Sequence, residues 1–229
     1  DVTRADPGLM ERWDRVPEGY RIHSWRGRCP DGLIALFCAG RRLINDAPLD
    51  DLEYPDLSYS AEFVRSVEAM TIASGREPWV LLAATPEGDV AGMTEVIVNT
   101  FSPEHSEQSD TAVAPAHRRR GLGRALKGRM WRELRRDAPA VTGLTTMNAL
   151  SKGPMRAINN EMGFVSGPRY AIWQAPAERL LVAISENAPP TMAIQPMEVN
   201  RPTAPRIIPS SPRPAARGVP SASASRRAR

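Results

Sequence analysis

At 229 residues, with 41% hydrophobic and 24% charged side chains, the chain has room for one globular domain plus appendages, and no apolar run approaches the ~20 residues that a membrane-spanning helix requires. The net charge of +4 is unevenly placed: residues 175–229 hold eight arginines against three glutamates, so the first 174 residues stand at −1 and lack the basic footprint of a nucleic-acid-binding domain. Cys29 and Cys38 are too few for a disulfide scaffold and have no metal-ligand spacing to His23, His105 or His117, so no metal site is expected and a reducing cytoplasm is the natural compartment.

Residues 1–19 read as a linker-like N-terminal segment without the apolar core of a signal peptide. Residues 20–25 read as a short strand. Residues 31–44, with Leu33, Ile34, Phe37, Cys38 and Leu43 near one face, read as a helix that Asn45-Asp46-Ala47-Pro48 ends. Residues 60–74 form a second helix preceded by capping side chains. The apolar run 79–84 is a strand covered on both faces. Pro86-Glu87-Gly88-Asp89 turns the chain back into a partner strand over 90–98.

Residues 102–109 are polar and read as loop or strand start, with 110–113 as strand. Over 121–137, Leu122, Leu126, Met130 and Leu134 make one stripe of a helix, while Arg124, Lys127, Arg132, Arg135 and Arg136 fall mostly toward solvent. Beyond Pro139, a strand over 141–147, a helix over 154–162 and a last strand or hairpin over 164–174 complete a mixed α/β order. From Ala188 the chain is dominated by Pro, Ser, Ala and Arg. Such a tail buries too little apolar surface to offset its ordering entropy, and residues 175–229 are expected to be mostly disordered. A basic arm for nucleic acid is the competing reading of that tail, weakened by its lack of lysine and interleaved aromatics.

The richest stretch is His117-Arg118-Arg119-Arg120-Gly121-Leu122-Gly123-Arg124, a basic turn between the strand ending at Val113 and the helix. A helix start leaves its first N–H groups unpaired and carries roughly half a positive charge, so it holds an anion through backbone alone. Glycines at 121 and 123 let a pyrophosphate approach those groups. A P-loop is excluded because Lys127 follows Leu126 instead of glycine. A dinucleotide fingerprint is excluded because Leu126 stands where its third glycine or alanine belongs. The plainer alternative for the arginines is a solvated helix face.

Arg118-x-x-Gly121-x-Gly123, followed by Thr146-Met147-Asn148-Ala149 and by Ile158-Asn159-Asn160-Glu161-Met162-Gly163-Phe164, an Asn-x-x-x-Gly-Phe ending after a short helix, resembles the GNAT superfamily of acetyl-CoA-dependent N-acetyltransferases. The resemblance covers residues 20–174 as topology and is specific over 107–164. It implies a GNAT fold, a mixed central sheet flanked by helices, with acetyl-CoA as cosubstrate. Asn45-Asp46-Ala47-Pro48 and Asp110-Thr111 further resemble a subgroup with two GNAT domains in tandem, which implies a second GNAT domain or a homodimer as partner. A small-molecule or peptide amine is the implied acceptor, and neither nucleic acid nor membrane is an expected partner.

The resemblance also implies residue roles. Thr111, Ala112 and Val113 would pair by backbone with the pantetheine arm. The turn of Arg118, Arg119, Arg120, Gly121, Leu122, Gly123 and Arg124 would receive the pyrophosphate, the side chains of Arg119 and Arg124 adding charge-assisted contacts. Asn148 is similar to an asparagine that contacts the cofactor, with a turn or helix cap as the plainer reading. Glu107, six residues before Val113, stands where many relatives carry a glutamate base, and strand parity with Ser109, Thr111 and Val113 would put it at the cleft. A solvated loop glutamate is its plainer reading, and Glu95 is the reserve base. Asn159 departs from the pattern: many relatives have a tyrosine there, and an amide hydrogen-bonds a thiolate without protonating it. Activity as an N-acetyltransferase is the expectation; a noncatalytic acyl-CoA-binding or structural domain of a tandem protein is the alternative.

Overall fold

Two consecutive apolar strands need cover on both faces, and that requirement organises the domain. The computed structural model describes residues 2–47, 55–149, 153–168 and Gln174. Five strands form one sheet in the order β1 (Arg21–Arg26), β2 (Arg76–Ala84), β3 (Val90–Asn99), β4 (Ser106–Val113) and β5 (Leu144–Thr145). The first four are antiparallel to their neighbours, and β5 is parallel to β4. This is the mixed α/β sheet expected from the sequence.

Side chains alternate along β2. Val80, Leu82 and Ala84 pack with Trp25, Phe37 and Val64, whereas Trp79, Leu81 and Ala83 join Leu122, Leu126, Met130 and Leu134. Helices α2 (Ile34–Arg42) and α3 (Ala61–Ala73) therefore cover one face and α4 (Leu122–Asp137) the other. Each large aliphatic side chain taken fully from water contributes about 1.5–3 kcal/mol. Ser60 caps α3, its hydroxyl accepting from the Phe63 N–H at 3.1 Å. A last helix, α5 (Gly153–Glu161), lies near the start of α4, where Ile158 Cδ1 comes within 3.8 Å of the position a Cβ on Gly123 would take.

Several sequence expectations are corrected. Residues 1–19 are not a plain linker: Pro7–Trp13 forms helix α1, capped by the Asp6 carboxylate, and buries Met10 and Trp13. It packs tightly on α4, since a Cβ on Gly128 would lie 2.8 Å from Trp13 Cβ and 2.9 Å from the Met10 carbonyl oxygen. Asp14 then pairs with Arg129 and Arg132. Seven helical residues carry too short a pattern for the period to stand out, so tertiary docking is what holds α1.

Lys127, expected toward solvent, is 1% exposed. The strand expected over 141–147 shrinks to Leu144–Thr145, because β4 leaves it: only Ser106↔Leu144 and Glu107↔Thr145 are paired. Residues 164–168 pair with no strand, and 169–173 lie outside the described residues, as does the tail 175–229. Among the described residues no helix is long and apolar enough to cross a membrane.

One irregularity positions the site. Thr94 pairs with Thr111 and Val96 with Gln108, so Glu95 alone on β3 faces both Ser109 and Asp110 on β4. This is a β-bulge, which kinks a strand and re-aims the side chains on either side of it.

Candidate functional site

The turn ahead of α4 is shaped by two residues in the left-handed region, Arg119 (φ 64°) and Gly121 (φ 80°), the latter being the helix N-cap. Glycine takes this conformation freely, whereas an arginine does so at a cost. Among the described residues the N–H groups of 119–124 reach no backbone acceptor, the first helical bond in this region being Ala125 N–H to the Gly121 carbonyl. They form a row of donors at the positive end of a sixteen-residue helix. A Cβ at Gly121 would meet nothing within 4 Å, so the donors open outward.

The side chains of the turn divide. Arg118 Nε donates to the Val113 carbonyl at 3.0 Å and its Nη2 lies 3.7 Å from Asp46, which ties the turn to the end of β4. Arg120 reaches the Tyr20 hydroxyl, itself 2.9 Å from His117 Nδ1. Arg124, expected to aid anion binding, is already held by both oxygens of Glu161 at 2.8 and 3.3 Å. Arg119 has no hydrogen-bond or ion-pair partner among the described residues and is the cation left for a ligand. Leu122 is 1% exposed and offers only its N–H.

Past Glu107 and Thr145 the strands β4 and β5 part. Thr111, Ala112 and Val113 pair on one side with Thr94, Met93 and Gly92, and their other edge faces the gap. Asn148, half-buried, follows β5 on the far side of that gap and has no side-chain partner among the described residues. Asn159 of α5 is 5% exposed, and its Oδ1 has no donor among them. A buried acceptor without a donor costs on the order of 1–3 kcal/mol, so this site fits a ligand that brings one.

On the opposite face of the sheet, under α2 and α3, lies a cavity of about 210 Å³. Phe37, Tyr59 and Phe63 contribute aromatic walls, and Arg41, Glu68 and Glu95 the charged groups. Arg41 Nη1 donates to Glu95 Oε2 at 3.0 Å and to Asp110 Oδ2 at 2.8 Å. Burial pushes the Glu95 carboxyl above the usual carboxylate range; Arg41 opposes the shift, Asp110 adds to it and a Ser109 hydrogen bond opposes it. Burial likewise raises the Tyr59 phenol.

The expected parity of Glu107 does not hold across the bulge. Gln108 and Thr111, three residues apart, share a face, since Gln108 Nε2 lies 3.3 Å from Thr94 Oγ1 and 3.4 Å from Thr111 Oγ1. Glu107, paired with Ile97, thus turns to the face that also carries Glu95, where its half-exposed carboxylate accepts from Arg76 at 3.0 Å. The same face gathers Glu95, Asp110 and Arg41. Arg41 escaped the sequence reading, although its place four residues after Phe37 on the buried side of α2 was a usable signal.

Residues 44–152 match the model of the acetyltransferase (GNAT) family. No curated protein matches the sequence. Among solved structures, a tandem GNAT protein from the clavulanic acid biosynthesis pathway is 28% identical with a TM-score of 0.58, over 71% of this chain and 47% of that one. This chain therefore spans about half the length of that protein. An aminoglycoside antibiotic 6'-N-acetyltransferase from Acinetobacter baumannii is 18% identical over 69% of this chain and 99% of its own, with a TM-score of 0.47. A spermidine/spermine N-acetyltransferase from Vibrio cholerae is 15% identical over 64% and 78%, with a TM-score of 0.44. With its family match over 44–152, its mixed five-stranded sheet and its likeness to one part of a tandem protein, this chain has a GNAT fold and is similar to the GNAT acetyltransferase family.

Proposed function

We propose that the domain transfers the acetyl group of acetyl-CoA to a primary amine by direct attack. The observation that carries this reading is the two-sided arrangement about β4: a row of free N–H donors at the start of α4, continuous with an unpaired strand edge, and a buried carboxylate across the bulge in a separate cavity. In this reading the N–H groups of 119–124 and the Arg119 guanidinium hold the pyrophosphate. Thr111, Ala112 and Val113 pair with the pantetheine amides, and Asn148 and Asn159 line the other side of the gap.

The acceptor enters from the cavity. Its nitrogen forms a bond to the acetyl carbonyl carbon, the carbon–sulfur bond breaks, and the amine proton passes to Glu95, which burial makes a stronger base than an exposed carboxylate. Glu107, held by Arg76, is the competing base. Thiols are fairly acidic, so the departing thiolate takes its proton from water, with the Asn159 amide as hydrogen-bonding support.

A second reading, a noncatalytic acyl-CoA-binding domain, is favoured by the amide at 159 in place of an acidic hydroxyl. Incubation of the chain with acetyl-CoA and a library of primary amines, read as free thiol and as acetylated product mass, separates the two. Thiol release matched by product supports transfer. CoA binding without release with any amine leaves the noncatalytic reading.

A further inference from the structure

We propose that the acceptor is a monoamine with a compact apolar or aromatic body, taken by the cavity between α2, α3 and the sheet. The proposal rests on the transfer reading above for the cavity's role, and on the chemistry of the cavity for the substrate class.

The walls are mainly apolar. Phe37, Tyr59, Phe63, Val64, Val67 and Val80 all face a space of about 210 Å³, and Phe63 is 42% exposed. An apolar body covers such walls and gains from leaving water. The polar groups are few and mostly engaged. Glu68 accepts from the Cys29 N–H at 2.8 Å and from Arg65 at 2.7 Å. Thr71 donates its hydroxyl to the Val67 carbonyl at 2.8 Å. Arg41 is shared between Glu95 and Asp110.

Charge sets a second limit. With Glu68 neutralised by Arg65, the two carboxylates around Arg41 leave one net negative charge when ionised, enough for one ammonium. A polyamine would bring further cations with no second unpaired carboxylate among the described residues of the cavity to meet them, and Arg41 would repel them. An amino sugar would bury several hydroxyls against valine and phenylalanine, each losing its water without a partner. Neither limit touches an amine such as 2-phenylethylamine.

The test uses the full chain with acetyl-CoA and three probes: 2-phenylethylamine, spermidine and kanamycin. The expected kcat/KM for 2-phenylethylamine exceeds those for the other two by at least 100-fold, and Phe63→Ala lowers it about tenfold, chiefly through KM, with CoA affinity unchanged. A preference for spermidine or kanamycin overturns the proposal. If no probe is acetylated, the transfer reading fails separately, and calorimetric binding of the same amines to the CoA-loaded protein decides the cavity's preference. Binding of 2-phenylethylamine at least tenfold tighter than spermidine, weakened by Phe63→Ala, upholds it. Equal or reversed affinity overturns it.

Discussion

Arg41 of α2 binds Glu95 of β3 at 3.0 Å, and the pair joins the helix layer to the middle of the sheet at the one point where β4 is bulged. The side chains are 15% and 4% exposed. A charge pair this deep is costly to strip of water, so each partner depends on the other to stay charged. The consequence is a carboxylate whose basicity is raised by burial yet restrained by a fixed cation, standing next to the strand on which the thioester is proposed to lie.

Glu95→Gln keeps the side chain's shape and removes its basicity, so amine turnover is expected to fall by about 10²–10⁴-fold with CoA affinity retained. In the parent, kcat/KM should rise with pH as Glu95 loses its proton, along a limb above the ordinary carboxylate range. Glu107→Gln should change turnover by less than about threefold. Steady-state rates against pH for the three proteins check this, and a dead Glu107→Gln beside an active Glu95→Gln would move the base to β4.

Gly121→Glu should weaken CoA binding by tenfold or more. The substitution forces a side chain into a φ of 80°, at a cost of roughly 1–2 kcal/mol, and sets a carboxylate beside the row of N–H groups. Because a Cβ there meets no neighbour within 4 Å, the fold should survive. Titration calorimetry with CoA, alongside circular dichroism, reads both effects, and parental affinity in a folded variant refutes the anion site.

Lys127→Met should stabilise the protein, most at low pH. Burial lowers the Lys127 pKa from 10.5 to about 7, while the unfolded chain keeps it near its ordinary value. Between those values the unfolded state binds more protons, so the parent gains stability as pH rises from about 7 toward 10.5, and below about 7 the full penalty persists. At roughly 1.4 kcal/mol per unit the penalty reaches a few kcal/mol. Denaturant titrations at pH 6 and pH 10 should show the gain from Lys127→Met at the first and little at the second. An equal gain at both would place the ammonium in a better solvated setting.

Gly128→Ala should destabilise by about 1–3 kcal/mol, the usual cost of overpacking. The new methyl would stand 2.8 Å from Trp13 Cβ and 2.9 Å from both the Asp14 nitrogen and the Met10 oxygen, so α1 must lift from α4. Loss of Tm together with new amide exchange over residues 7–14 is the expected signature, and a parental Tm would mean that α1 contributes little to stability.

By themselves, the residues determined the parts of this protein that depend on local pattern. The continuous apolar run at 79–84, the turn that leads into its partner over 90–98, the period near 3.6 at 122–134 and the Gly121 turn each act over a few neighbours, and each lies where the pattern put it. Tertiary structure alone decided the rest. Met10 and Trp13 became core because α1 met a glycine on a distant helix. Lys127 was buried because the chain at Val2 and Ala5 and that around Phe164 closed over its helix face. Most of all, one extra residue in β4 broke the alternation that pointed to Glu107, and brought Arg41, Glu95 and Asp110 together from three separate elements. A bulge changes facing without changing composition, and a charge cluster assembled across 69 residues of chain has no period to betray it, so neither leaves a local signal.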